Sequence, residues 1–599
     1  MRGAQLPTGA ATHTPHRREA RVPGEVLPIL LPPAVLHRVP LVVAAAVAVV
    51  VAEVQALAAA AVQAAVADRK PIMTKLMKKI ISILFTLFPL STALFAQSEV
   101  DALRFSRDDL HGTARSMSMG GAFGALGGDQ TAISSNPAGI AVYRSSELVG
   151  TLNLSQERSG VGDQHTNKTR FDMDNLGFVG YFPLRNDLFP LVNFGFSYNR
   201  LKSFDKGISG AGPAASTMID YIADRSAGVK PSDLEMEKNL PDPFETQPWL
   251  TVLGYNSHLI NPVNNGASYA PVNTFGDTPI GEIRTKERGH IDNYDFTVGT
   301  TIGHVLNLGL SLSVKDISYS LESDYLEDFY RNDQHQGGYT LTNWVTTSGA
   351  GVSAKLGAIF RPVNFLRLGL AWHTPTWYAL TETYEAQIDD DMGAYATDPD
   401  YEPGQTYSAV FTNDYDLKTP GKMVASIAGV FGSNFIASMD YELVDYSRMK
   451  LEVPSGSPHD ADWYDIDNEY ISMDFRPAST VKAGVEYRFT PQFSGRLGYA
   501  WMQNPYETIF KESGDAVIRN SNTIYRMEGD SNYFTGGIGY RFNRNFFLDF
   551  AVVYKTQTDD LYPFPNLWTE NREDLVIDAS PFELKNSSFR GLVTLGYKF

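Results

Sequence analysis

Not one cysteine occurs among the 599 residues of this chain. That absence removes disulfides, thiolate zinc sites and cysteine nucleophiles together. Histidine is scarce, with 11 copies, and no G-x-S-x-G elbow marks a serine nucleophile, so an enzyme is not expected. Positive charge is in deficit: 50 Lys and Arg face 68 Asp and Glu, for a net charge of −18. A phosphate backbone demands clustered Lys and Arg, so nucleic acid is not an expected partner. From Gln97 onward no apolar run reaches 18 residues, which excludes a bundle of membrane-spanning helices there.

What is present begins with an export signal set back from residue 1. From Met73 the chain reads MTKLMKKIISILFTLFPLSTALFAQS, with Lys75, Lys78 and Lys79 ahead of an apolar run, Ile80 to Leu90, and Ala96 before Gln97. This is a secretory signal peptide over 73–96, although Leu94 is larger than the residue usual near such a cleavage point. A signal peptide acts from a terminus, so residues 1–72 are expected to be a spurious extension from an over-extended start. Taken at face value instead, Leu41 to Ala67 reads as a transmembrane or buried helix broken by Glu53, Gln55 and Gln63. Removing 1–96 leaves 40 basic and 64 acidic residues, a net charge of −24.

Beyond Gln97 the recurring signal is alternation with period two. In the last segment Val593, Leu595, Tyr597 and Phe599 share one face, and Thr594, Gly596 and Lys598 the other. The same polarity recurs with Phe534, Ile538, Tyr540 and Phe542 against Thr535, Gly537, Gly539 and Arg541, and with Val481, Val485, Tyr487 and Phe489 against Lys482, Glu486 and Arg488. A soluble sandwich would show such alternation too. Two features favour a membrane barrel: aromatic residues gather at strand ends, as amphipathic rings do at a bilayer interface, and short turns such as Asn543-Arg544-Asn545 and Gly432-Ser433-Asn434 alternate with long polar loops.

The spacing predicts an all-β, transmembrane antiparallel β-barrel of about fourteen strands. They fall near 146–156, 172–183, 191–202, 292–303, 307–320, 350–361, 366–386, 409–431, 435–448, 478–489, 493–503, 532–542, 546–557 and 587–599. Even numbers suit closure. The longest loop spans 203–290 and carries an amphipathic stretch from Ser216 to Arg225. Its Met218, Ile219, Tyr221, Ile222, Trp249, Leu250, Val252 and Leu253 could line a groove for a hydrophobic substrate or simply pack the loop. Lumen-facing Lys482, Arg488, Arg541 and Lys555 could meet a carboxylate, or pair across strands with Glu486 and Asp549. Two loops are acidic, at Asp389–Asp391 and at Asp460–Asp467, and the latter lacks the glycine of a calcium loop; both are expected to be solvated, with no metal and no cofactor.

One segment does not alternate. Met119 to Ala141, MGGAFGALGGDQTAISSNPAGIA, is too small-sided to build a core. Gly121, Gly124 and Gly127 are spaced G-x-x-G-x-x-G with no buried parallel strand before them, unlike a dinucleotide fingerprint. A flexible linker would not need Arg115, Met117, Phe123, Ile133 and Ile140. The run GTARSMSMGGAFGALGGDQTAISSNPAGIA, after an export signal and before a barrel ending in Phe, resembles the N-terminal hatch of the FadL/TodX-type outer-membrane transporters. The match is specific at Asn136-Pro137-Ala138, with Gly120, Gly121 and Gly139 as further hatch positions. Over the rest of the chain it is architectural, and the excess length lies in the loops.

The resemblance implies passive transport of hydrophobic small molecules, long-chain fatty acids or aromatic compounds, by a monomer in the bacterial outer membrane. It implies a loop groove, a hatch over 97–144 that gates the lumen of a barrel over 145–599, and lateral release through the wall. Outer-membrane lipid and lipopolysaccharide surround such a barrel, and Tyr597 and Phe599 form the C-terminal signal read by barrel-assembly machinery. The alternatives are a general diffusion porin, separable by planar-bilayer conductance, and a surface adhesin or structural barrel. If the faces are assigned correctly, Leu595→Arg lowers stability by about 2–4 kcal/mol near the midplane, and Thr594→Arg costs much less; urea unfolding in lipid measures both.

Overall fold

The computed structural model describes residues 98–599 except 237–241, 274–276, 394, 396–402, 458–459, 461, 519 and 570–571. The expected signal peptide at 73–96 and the extension 1–72 lie outside the described residues.

The alternating segments become β1 (Glu147–Val161), β2 (Gln164–Pro183), β3 (Leu191–Ser203), β4 (Thr278–Ile302), β5 (Leu306–Arg331), β6 (Gln334–Val363) and β7 (Leu366–His373). They continue as β8 (Lys422–Phe431), β9 (Phe435–Asp445), β10 (Pro477–Arg488), β11 (Phe493–Met502), β12 (Ser531–Arg541), β13 (Phe546–Tyr562) and β14 (Phe582–Lys598). Each pairs antiparallel with the next, and β14 pairs with β1 from Glu147↔Lys598 to Val161↔Leu584. The sheet is therefore a closed ring of fourteen strands, each at a position expected from the alternation. Closure leaves no edge, which is what hydrocarbon requires of a spanning sheet. Ser146 and Phe599 exchange backbone hydrogen bonds of 3.0 and 3.1 Å, so both ends of the barrel chain lie on the short-turn side.

On that side the outward face is an apolar band. Rings meet at its margin: Tyr487 with Phe489 at 5.0 Å, Tyr540 with Phe542 at 4.9 Å, and Tyr597 with Phe599 at 6.1 Å between centroids. In β5, Leu308, Leu310 and Leu312 are exposed on the outside while Ser311 and Ser313 are buried inside. Higher in the same strand the polarity reverses without a change of register. Ile317, Tyr319, Tyr325 and Phe329 turn inward at 0–2% exposure, while Glu322 reaches out to Lys286 at 2.8 Å. The lower half is lipid-facing, and the upper half is built like a soluble protein with its core inside.

This reversal corrects the loop boundaries. Residues 206–213 and 278–290, expected in the 203–290 loop, are strands paired with each other, as Lys206↔Glu287 to Pro213↔Ile280. Their alternation has period two, but its apolar side faces inward. Only 214–277 leaves the wall, and it holds helices at Met218–Arg225 and Trp249–Asn256. Asp465 and Asp467, expected in an acidic loop, open a helix at Asp465–Asp474.

Thr594 also departs from expectation. It is inward-facing, as read, but buried: its Oγ1 accepts the backbone N–H of Ala114 at 2.7 Å and meets Thr151 Oγ1 at 2.8 Å. An arginine there would displace the segment filling the lumen, so Thr594→Arg is not a mild control. A better pair lies along the outer face of β5. We expect Leu312→Arg to cost about 2–4 kcal/mol, as a charge in hydrocarbon does, and Ser320→Arg, above the band, to stay within about 0.5 kcal/mol. Equal costs in urea titrations of lipid-reconstituted protein would refute the boundary between the halves.

Candidate functional site

The leading segment, Ser98 to Val142, makes a circuit inside the ring. It starts high, in the helix Glu99–Ser106, where Phe105 packs edge-on to Phe204 and Tyr319 at centroid distances of 6.0 and 5.7 Å. It then descends along β2 and β14, where the Gly112 N–H donates to Asp174 at 2.8 Å. The turn Ala114–Met117 packs on Ala500, Tyr533, Ala551, Val553 and Leu592. Gly124 N–H donates to Asp440 of β9 at 2.8 Å, and Asn193 of β3 donates to Ile140 O at 2.8 Å.

The Asn136-Pro137-Ala138 step is the tightest point of this circuit. Asn136 caps the following turn by accepting the Ala138 N–H at 3.1 Å, and its Nδ2 donates to Gly124 O at 2.8 Å and to Ala358 O at 3.2 Å. Pro137 opens the 3-10 helix Pro137–Val142, a position where its missing N–H costs nothing. The wall opposite is bare: a Cβ on Gly357 would stand 2.0 Å from Asn136 Oδ1, and one on Gly309 2.3 Å from the Pro137 carbonyl carbon. Glycine is the residue that permits this approach. Among the expected positions, Gly120 and Gly121 adopt positive φ (65° and 75°) beside β11 and Leu110, and Gly139 packs on Ala132.

Around the plug the lumen is lined by ion pairs. Lys482 bonds Glu442, and Lys555 bonds Asp109 at 2.8 Å. Both lysines are thus paired, but not with Glu486 and Asp549. Those carboxylates hold Arg115 and Arg496 instead, in a chain Arg115–Glu486–Arg496–Asp549 with steps of 2.9, 2.7 and 2.6 Å. Arg488 and Arg541 sit lower, at a cavity of about 230 Å³ on the short-turn side. The sequence offers Arg115 only as a packing residue, and its role as an ion-pair partner follows from tertiary contact alone.

Above the plug the expected groove residues are drawn together into the interior. Met218, Ile219, Tyr221, Ile222, Trp249, Val252 and Leu253 are buried, and Leu250 is half-buried against the same core. Trp249 meets Tyr384 at a tilt and Phe411 edge-on, with ring centroids 4.7 and 5.1 Å away. In this arrangement they fill the space that a groove would occupy, because the amphipathic helix Met218–Arg225 and the largely apolar helix Trp249–Asn256 bury their side chains in an apolar-lined ring.

The wall has one paired irregularity that the sequence reading missed. Thr374-Pro375-Thr376 ends β7 before the strand resumes at Trp377–Asp391, and Thr419-Pro420-Gly421 lies opposite, between Phe411–Lys418 and β8. Thr419 N–H donates to Thr376 O, and Thr376 N–H donates to Thr419 Oγ1, both at 3.0 Å. Two prolines facing each other across a ladder supply no N–H; that coincidence was the available signal. Inside the break are His373 and Lys422, and outside it Trp372 and Met423 border an apolar hollow of about 600 Å³ on the lipid face.

A closed ring with an apolar outer band, polar lumen and internal stopper defines an outer-membrane-type β-barrel of the plugged class. No known family profile matches the chain, and no curated protein matches it. Solved structures similar to it include a Pseudomonas aeruginosa FadL homologue, with 12% identity, 82% of this chain and 99% of that one covered, and a TM-score of 0.47. The Ralstonia pickettii toluene transporter TbuX (15% identity, 82% and 99% covered, TM-score 0.42) and the Pseudomonas putida toluene transporter TodX (12%, 82% and 99%, 0.43) are also similar.

The top of the plug is tied to the loops by a carboxyl pair. Glu99 accepts the Val517 N–H at 3.1 Å through Oε1, and its side chain meets the carboxyl group of Asp474. Two carboxyl groups can meet only if one keeps its proton. Burial, then Asp474, pushes Glu99 well above its usual range, and burial with nearby Asp515 pushes Asp474 up to about 6. Both are raised on folding, so Asp474 ionises first, near 6, while Glu99 keeps the shared proton, and the contact is lost only as pH rises further, through the raised value of Glu99. We expect hydrogen-exchange protection of residues 99–106, corrected for intrinsic rates, to hold through pH 6 and to fall at higher pH, and Glu99→Gln to flatten that dependence. Unchanged protection in the unaltered protein would refute the shared proton.

Proposed function

We propose that this protein carries hydrophobic small molecules, long-chain fatty acids or aromatic compounds, passively across the outer membrane. The observation that supports this most is the reversal of polarity up the wall. An apolar interior stands outside the bilayer, over a lumen stoppered from below, so a greasy solute gains an apolar environment where a water-filled pore would offer none. The helices Met218–Arg225 and Trp249–Asn256 are the proposed groove, formed when they part around a substrate. The leading segment is the proposed hatch.

The lumen below is polar and filled, so the exit we favour is lateral, at the break between β7 and β8, where a solute leaving the interior meets the lipid-facing hollow beside Trp372. No step needs an energy source: movement follows the gradient into lipid. A general porin would require an open aqueous lumen, which the circuit of the leading segment opposes.

Two measurements test the reading. The purified protein in a planar bilayer should show little steady conductance, and Asn136→Ala, which leaves buried carbonyls unpaired at a cost of about 1–3 kcal/mol, should raise ion leak. In cells, Trp372→Arg should lower uptake of labelled oleate or toluene with conductance unchanged. Porin-sized conductance in the unaltered protein, or uptake no greater than in cells lacking it, would overturn the proposal.

A further inference from the structure

We infer that the periplasmic mouth of the barrel holds a binding site for one small monocarboxylate, between the leading segment and strands β10–β14. The site is the cavity of about 230 Å³ lined by Arg115, Gln130, Arg488, Arg496, Arg541 and Lys598 among others. Its size is below the usual range for drug-sized ligands, which begins near about 300 Å³, so it suits a short acid and not a long chain.

Most charges around it are already matched. Glu486 bridges Arg115 and Arg496, Asp549 takes Arg496, and Glu147 takes Lys598 at 3.1 Å. Asp129 accepts from Thr113 Oγ1 and the Thr131 N–H. Arg488 and Arg541 are left over: neither side chain has an ion-pair partner among the described residues. Five basic groups against four acidic ones line the cavity, so a single negative charge brings it to balance. A second observation points the same way. Gln130 is fully buried, lines the cavity, and neither its Oε1 nor its Nε2 has a hydrogen-bond partner. A buried amide without a partner costs free energy, and a carboxylate oxygen would accept from Nε2. Guanidinium forks match a carboxylate's two oxygens. Alternation along β10 and β12 points both arginines inward, on the same side as Glu486 and Thr535.

This inference is independent of the transport proposal, since binding can be read without uptake. Butyrate and inorganic phosphate are each titrated calorimetrically into the detergent-solubilised protein at low ionic strength. We expect saturable one-to-one butyrate binding, weakened at least tenfold in Arg488→Gln, Arg541→Gln and Gln130→Leu. Lys585→Gln, on the exposed opposite end of β14, should bind as the unaltered protein does, and heat-modifiable gel migration confirms that each variant folds. No saturable butyrate binding, equal affinity in the arginine variants, an equal loss in Lys585→Gln, or binding of phosphate alone would each overturn the assignment.

Discussion

Hydrocarbon offers no hydrogen bonds, and everything in this molecule follows from that. A sheet that crosses a bilayer must satisfy every backbone N–H and C=O within itself, so it must close. Here closure takes fourteen strands, and fourteen enclose more space than inward side chains fill. A ring of that width is a leak unless something occupies it. The leading segment, with glycine and alanine in place of bulky side chains, fits because the wall opposite it is stripped as well, at Gly309 and Gly357.

The same strands meet two solvents along their length. Below, hydrocarbon lies outside and a packed polar lumen inside. Above, water lies outside, and the apolar side chains turn in to meet the two helices from the long excursion and the helix Glu99–Ser106. In β5 the alternation runs unbroken, so one strand carries both patterns, and the switch falls within a few positions, between Ser313 and Ile317. That arrangement sets an apolar compartment over a polar stopper, and the proposal of a hydrophobic cargo rests on it.

Much of this was legible in the residues. Fourteen alternating segments, aromatic ends and short turns on one side identified the barrel, and Asn136-Pro137 marked the tightest turn of the plug. The upper strands were missed because the same period carried the opposite polarity, so 206–213 and 278–290 read as loop. Ion-pair partners were also beyond reach. Pairing with Glu486 and Asp549 was one of two readings for Lys482, Arg488, Arg541 and Lys555, yet the plug brings in Arg115 and Asp109, and Lys482 bonds Glu442 and Lys555 bonds Asp109 instead.

Period-two alternation, together with aromatic strand ends and short turns, determined that this chain forms strands, how many close the ring, and which face of their lower halves meets lipid, because those are local consequences of side-chain direction. Which carboxylate neutralises which cation, where a cavity remains and where the wall is weak depend on groups hundreds of residues apart. Only the closed ring, with its own first segment folded inside, places those groups within reach of one another.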